Sequence, residues 1–385
     1  MSERKNILFL CSWYPNEQNP ALGNFIKRHA EAVSLYADVT VLAAFSDEKL
    51  NYPEVKISES ENLKEVLVYY PKSRLPIPLL KDLAAYKTYM SAMTKGIEKL
   101  KAFDFDLVHI HVAFPAGLFA LELKRKYKLE YVISEHWTGY LSIKDEFNKL
   151  SKLKKWQYKK IFSESSKVTT VSQDLGEAIK NRNLTERFEV IPNVVDNSLF
   201  FPIETNKNEV PTFIHVSTFD DKHKNISGMF QAFQKLAEEG YNYKLRLVSE
   251  KGKEIVNELL TDFKIPKKNL EIYGRQTPED VAQLIKTSNC FVLFSNYETF
   301  SVVLAESWAC GIPCIYSKCG GLTEVDDKKL GVQIKTNDIL ALFQALKDFT
   351  IDKEIYSKKD ISLVAQKFYK EAVGSAFCNF YLTLI

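Results

Sequence analysis

The chain has 385 residues, 45% hydrophobic and 26% charged, the balance of an ordinary globular protein with room for more than one domain. A net charge of only +3 excludes a nucleic-acid binder that works by bulk charge, so no nucleic-acid partner is expected. No apolar run approaches membrane-spanning length, and six cysteines in a chain this long exclude a disulfide framework.

The basic start Met1-Ser2-Glu3-Arg4-Lys5 runs directly into a short apolar strand over 7–11, too short for a secretory leader. A reducing, cytoplasmic setting is therefore expected. A helix is predicted over 24–35 and strands over 39–43 and 66–70. The stretch 71–101 is rich in Lys, Tyr and Leu, with Pro76 and Pro78 near its start. Its helix, 80–100, reads either as a solvated helix with an apolar core face or as a surface that meets a membrane. Asp104-Phe105-Asp106 opens the strand 107–110, on which His109 and His111 alternate. That spacing can suit a metal, but no third ligand is evident, so packing or cleft lining is favoured for both histidines.

A helix over 116–127 leads to a strand over 131–134, and His136 stands at its end. Residues 150–160 form a second basic and aromatic stretch, open to the same two readings as 71–101. Strands over 168–171 and 188–191 flank a helix over 174–180. These strands are mostly continuous apolar runs, as when both faces of a parallel sheet are covered. Residues 192–211 are polar and Pro-bearing, a linker.

A second series then repeats the strand–helix alternation. Strands are predicted over 212–216, 244–248, 270–273, 290–294, 313–316 and 332–334. Helices are predicted over 225–238, 253–263, 278–286, 300–310 and 338–349. The expected class is α/β, with two doubly wound sheets and a cleft between them. Ligands of such sheets bind outside the carboxyl ends of the strands. Cys11, Cys290 and Cys314 fall in apolar runs as small hydrophobes, and the spacing of Cys310, Cys314 and Cys319 is not that of a zinc knuckle.

The most informative stretch is Glu298-Thr299-Phe300-Ser301 through Glu306, followed by Ala309-Cys310-Gly311-Ile312-Pro313. Thr299, Phe300 and Ser301 fall where a helix begins, and the unpaired amides of a helix start favour an anion such as a diphosphate. Glu306, in a mostly apolar segment, needs a partner if buried. It suits ribose hydroxyls as acidic residues do in dinucleotide sites. Glu298, ahead of the helix, suits the hydroxyls of a sugar. The plainer alternative is a surface Glu298 and a salt-bridged Glu306.

The Glu298–Glu306 block, with Gly320-Gly321-Leu322-Thr323-Glu324 after it, resembles the signature of family four retaining glycosyltransferases, which have the GT-B fold of two Rossmann-like domains around a cleft. Pro192-Asn193-Val194-Val195-Asp196 with Phe200 resembles the family's domain junction. His109-Ile110-His111, Ser134-Glu135-His136, and Ser12-Trp13-Tyr14-Pro15 to Gly23 resemble its amino-terminal strand ends and first loop. The resemblance implies an acceptor domain over 1–195, a nucleotide-sugar donor domain over 196–365, and a terminal helix over 366–385 packing back on the first domain. By position, Glu298 would contact the donor sugar, with Thr299 to Ser301 supplying amides, and Glu306 would bind ribose. His136 matches the family's active-site histidine and Gly23 the glycine that admits the diphosphate. Lys224 matches the lysine that neutralises the leaving group. Two positions depart from the pattern: Thr218 stands where an Arg is usual, one residue further from its lysine, and the first loop has one glycine where many members have two. The phosphate clamp then rests on Lys224, Lys222 or Arg275.

The resemblance thus implies a retaining transfer from a nucleotide diphosphate sugar to a hydroxyl of a saccharide or lipid-linked acceptor, with no cofactor and no metal. Asp104 and Asp106 form a pair that can hold a metal–diphosphate in other glycosyltransferases, but they lie at the wrong end of the sheet. Two alternatives stay open, a nucleotide-sugar epimerase on the same fold and a non-catalytic sugar-nucleotide binder. A nicotinamide dehydrogenase is disfavoured, since no G-x-G-x-x-G follows a first strand. Polysaccharide or glycolipid assembly fits, in the cytoplasm or at the inner face of the cell membrane.

Overall fold

The structure, a computed structural model, describes residues 4–72, 78–100, 102–204, 210–325, 327–352 and 356–384, with the side chains of the second helix described from residue 83 on. Pro76 lies outside the described residues. The chain forms two compact units, Met1–Val194 with Lys370–Ile385, and Val195–Tyr369.

The strands of the first unit are β1 (Asn6–Cys11), β2 (Asp38–Asp47), β3 (Glu54–Ser60), β4 (Leu63–Pro71), β5 (Leu107–His111), β6 (Tyr131–Glu135), β7 (Lys167–Thr170) and β8 (Glu189–Val190). They make one sheet in the order β3-β4-β2-β1-β5-β6-β7-β8. All neighbours are parallel except the β3–β4 pair. Its helices are α1 (Asn24–Val33), α2 (Pro78–Glu98), α3 (Ala116–Tyr127), α4 (Glu146–Lys149), α5 (Lys152–Ser163) and α6 (Gln173–Lys180). β1, β5 and β6 are buried along nearly their whole length, as their unbroken apolar runs require.

The second unit holds β9 (Thr212–Ser217), β10 (Lys244–Ser249), β11 (Leu270–Tyr273), β12 (Cys290–Leu293), β13 (Cys314–Lys318) and β14 (Gly331–Lys335). All its pairings are parallel. Its helices are α7 (Asp221–Lys224), α8 (Ile226–Glu238), α9 (Lys253–Leu260), α10 (Pro278–Lys286), α11 (Val302–Ala309), α12 (Ile339–Ile351) and α13 (Lys358–Ala365). The sheet order is β11-β10-β9-β12-β13-β14. Numbered within the unit this is 3-2-1-4-5-6, the doubly wound order whose ligand crevice opens between its first and fourth strands, here β9 and β12.

The last helix, α14 (Lys370–Leu382), belongs to the first unit and packs on α1. Val373, Phe377, Phe380 and Tyr381 are buried in that unit's core beside Phe9, Ile26 and Val33.

Two expectations shift, those for β3 and for the start of α11. β3 is not among the expected strands, because its residues are almost all exposed and its apolar alternation is confined to Val55 and Ile57. α5 forms as a helix, as both readings of 150–160 require, capped by Ser151 Oγ on the Lys154 amide at 3.3 Å. α11 begins at Val302 rather than 300, because Ser301 adopts a left-handed backbone, φ 63°, and serves as its cap position.

Candidate active site

In the second unit, the loop after β9 and the loop after β12 meet at the switch point. The short α7 ends at Asn225, φ 50°, whose side chain caps α8 by accepting from the Gly228 amide at 3.3 Å. Asp221 anchors the same corner by accepting from Ser227 N and Ser227 Oγ. These bonds present Lys224 to the neighbouring loop, where its Nζ donates to Glu298 Oε1 at 2.5 Å. The same oxygen accepts from Ser295 Oγ at 2.7 Å. His223 stacks on Tyr297, with ring centroids 4.1 Å apart, and lies 3.8 Å from Glu298 Oε1.

Glu298 is 5% exposed. Burial opposes its ionisation, but the Lys224 charge, the neighbouring His223 and the two hydrogen bonds outweigh it and hold the carboxyl below its ordinary value. The surface-loop alternative for Glu298 is thereby excluded. The downstream glycine pair has a physical reason here. Gly320 has φ +48°, and a Cβ on it would lie 1.9 Å from the Glu298 carbonyl oxygen. Gly321 N donates to that oxygen at 3.1 Å. The pair lets a later loop press against Glu298 from behind.

Thr299, Phe300 and Ser301 are half-buried just ahead of α11. The Phe300 ring packs edge-on against Phe368. Glu306 is buried in the second turn of α11, which Trp308 fixes by donating its indole N–H to Leu330 O at 3.1 Å. Of the three clamp candidates, Lys224 joins Glu298, whereas Lys222 is exposed. Arg275 is exposed beyond the edge strand β11, two strands from β9.

In the first unit, Gly23 caps α1 with φ +67°, and a Cβ there would lie 2.9 Å from the Trp13 carbonyl carbon. His136 follows β6 and is buried. The preceding Glu135 is fully buried. Its Oε1 accepts from the amides of His136 (2.9 Å) and Trp137 (3.1 Å), and its Oε2 from Ala113 N (3.0 Å) and Tyr140 OH (3.1 Å). One carboxylate thus ties the loop after β5 to the loop after β6.

His109 and His111 separate in role. His109 is satisfied by Tyr381 OH at 2.6 Å and Ser134 Oγ at 2.7 Å. His111 instead lies beside His136 and His29 of α1. His111 is packed as expected, but the expectation that no third ligand accompanies it is corrected, since the fold brings two further imidazoles to it. Burial pushes the pKa of all three rings down, His29 to about 4. Sequence reasoning missed His29, His223, Ser295 and the role of Glu135. Only Glu135 left a signal, a carboxylate joined to an apolar strand. Asp106 accepts from the Asn6 amide at 2.8 Å, a structural role at the start of β1.

A doubly wound unit with a paired Lys–Glu at its switch point, in one chain with a second unit whose sheet carries a buried strand-end histidine, is the composition of the GT-B class of sugar transferases. The family model described as Glycosyltransferase Family 4 matches residues 29–199, and that described as Glycosyl transferases group 1 matches residues 196–362. Together they span most of the chain, which belongs to Glycosyltransferase Family 4. It is 26% identical over 319 residues to N-acetyl-alpha-D-glucosaminyl L-malate synthase of Bacillus anthracis, covering 78% of this chain and 81% of that one. Sucrose-phosphate synthase from Thermosynechococcus elongatus superposes with a TM-score of 0.77 at 20% identity, covering 99% of both chains. The Anabaena protein HepE, solved in complex with UDP and glucose, gives 0.71 at 14% identity over 99% of this chain and 100% of that one. The chain is a glycosyltransferase with the GT-B fold. No helix among the described residues is long and apolar enough to cross a membrane.

Proposed function

We propose that this glycosyltransferase moves a hexose from a nucleotide diphosphate sugar to an acceptor hydroxyl with retention at the anomeric carbon, and needs no metal. The observation that carries this reading is the Lys224–Glu298 pair at the β9/β12 switch point, in front of the α11 amino terminus. Lys224 and the first amides of α11 offer positive potential to a leaving diphosphate. Glu298, ionised and held by Ser295, accepts hydroxyls of the donor sugar. Glu306 takes ribose. His136 and Gly23 keep the roles the family resemblance assigns them, at the reacting sugar and the diphosphate. Arg275 is a weaker candidate for the clamp, on its position.

The leaving phosphate takes the acceptor proton, so no carboxylate nucleophile is required. HepE, solved with UDP and glucose, supports a nucleotide-sugar donor. The acceptor is a saccharide or lipid-linked saccharide in polysaccharide or glycolipid assembly, and the enzyme works in the cytoplasm at the inner membrane face. The membrane part rests on α5, where Leu153 and Trp156 are 62% and 61% exposed among exposed Lys152, Lys159 and Lys160. Tyr86 of α2 and Trp156 line one groove, so the two basic-aromatic stretches share a surface.

The test is a thermal-shift screen of UDP- and GDP-sugars, then NMR of the product made from the donor that binds. An α-linked product from an α-linked donor supports the reading. Inversion, donor isomerisation without acceptor, or binding without turnover against a full acceptor panel would each overturn it.

A further inference from the structure

Five ring nitrogens of three buried histidines have no hydrogen-bond partner: Nδ1 of His29 and both nitrogens of His111 and His136. Buried polar atoms are ordinarily satisfied, so five orphans in one cluster call for a missing partner. One nitrogen from each of the three rings lies within 4.8 Å of the other two. The rings come from three elements: His29 from α1, His111 from the end of β5, and His136 from the loop after β6.

We propose that His29, His111 and His136 form a three-imidazole site for a borderline transition ion of the Zn²⁺, Co²⁺ or Ni²⁺ kind. The donor set fits such ions, which favour neutral imidazole, and does not fit Mg²⁺ or Ca²⁺, which favour oxygen. The His29 ring is already oriented for it. Its Nε2 lies 3.3 Å from the Pro192 carbonyl, so Nε2 carries the proton and Nδ1 presents its lone pair. Carbonyl-anchored imidazoles of this kind are the usual outer-shell arrangement of metal-binding histidine. Tetrahedral ligation at about 2.0–2.1 Å places nitrogens about 3.4 Å apart, so ring rotations closing the cluster by somewhat over ~1 Å complete the site. His136, the least buried of the three, leaves the side from which an ion and a fourth ligand enter.

This ion is not part of sugar transfer. By occupying the His136 ring it removes that group from the reacting sugar, so the site inhibits. That consequence rests on the transferase reading above, whereas metal uptake does not.

The experiment uses untagged, chelator-stripped protein titrated with Co²⁺, followed by visible absorption and by X-ray absorption of the bound ion. The expected result is one Co²⁺ per chain, displaced by Zn²⁺, with three imidazoles in its shell. His29→Gln and His111→Phe should each weaken uptake by more than the roughly 10–100-fold typical of losing an outer-shell partner. His109→Gln, whose ring faces Tyr381 and Ser134, should retain it. No uptake by the wild type, fewer than two imidazoles in the shell, or undiminished uptake by both variants would overturn the site. Should the variants not fold, the wild-type absorption spectra still decide. Uptake without loss of transferase activity would retain the site and reject its inhibitory role.

Discussion

Lys224 and Glu298 are 74 residues apart in sequence and 2.5 Å apart in space, joined across the carboxyl ends of adjacent strands β9 and β12. Both side chains are largely buried, so each is the counter-charge that makes the other tolerable. Lys224→Met leaves a buried carboxylate with Ser295 and His223 but without its lysine counter-charge and should cost about 3 kcal/mol of stability. Glu298→Gln keeps the shape and should cost less. Both should lower donor affinity, Glu298→Gln by roughly ten- to hundredfold, the equivalent of about 1.5–3 kcal/mol for a charged hydrogen bond. Urea unfolding and donor titration check the two effects, and unchanged donor affinity in both variants would remove the pair from the site.

Gly320→Ala should destabilise the second unit and also weaken donor binding, because its Cβ meets the carbonyl of Glu298 itself. Gly240→Ala is the control: it shares the left-handed backbone, φ +82°, but has nothing within 4 Å. It should cost about 1 kcal/mol from backbone strain alone, and Gly320→Ala about 3 kcal/mol or more. Equal unfolding midpoints for the two variants would contradict the close approach.

All six histidines have pKa values pushed down, mainly by burial. Each is neutral in the folded chain and protonates near pH 6.5 when unfolded. The unfolded state therefore binds more protons below that pH. Stability should be fully present above about pH 6.5 and fall as pH drops towards 4, the value His29 and His215 reach. Each imidazole contributes a slope of about 1.4 kcal/mol per pH unit inside its window. Urea melts at pH 7, 6 and 5 measure this, and His111→Phe should flatten the curve. A flat profile between pH 7 and 5 would mean that these rings are solvated.

Glu135→Gln tests the brace behind His136. The carboxylate accepts four hydrogen bonds, and an amide in its place turns an NH₂ towards donors. Turnover should fall at least about tenfold with donor KM little changed, and Glu135→Ala should be worse, with lost stability as well. A variant with wild-type turnover would show that the two loops hold their positions without it.

Replacing Leu153 and Trp156 together by Ser should abolish co-sedimentation with anionic vesicles while leaving transfer to a soluble acceptor analogue intact. Charge reversal at Lys152 and Lys159 should weaken binding by about 1 kcal/mol per lysine, and added salt should do the same. Wild-type protein that stays in the supernatant with anionic vesicles ends the membrane proposal.

Much of the architecture was legible because apolar runs such as those of β1, β5 and β12 announce strands covered on both faces. β3 was invisible for the opposite reason, having little burial to leave a pattern. The Glu298 block was legible as a local motif, but its partner was not, since nothing in the 73 intervening residues says which loop β12 will meet. His29 sits on the buried side of α1, where a lone histidine reads as packing, and only the third dimension sets it beside His111. The early start predicted for α11 has one cause, the positive φ of Ser301, which composition does not betray.

The return of α14 to the first unit has a bearing on how the polypeptide is made. Residues 195–369 form an uninterrupted segment with a core of its own, free to close while synthesis continues. Its amino-terminal neighbour, begun first, must wait for Val373, Phe377 and Tyr381 to leave the ribosome before its interior is filled and His109 acquires a phenol to bond. The half that is translated earliest is thus the one that matures last, and a nascent chain stalled near residue 369 would leave α1 with its apolar side bare.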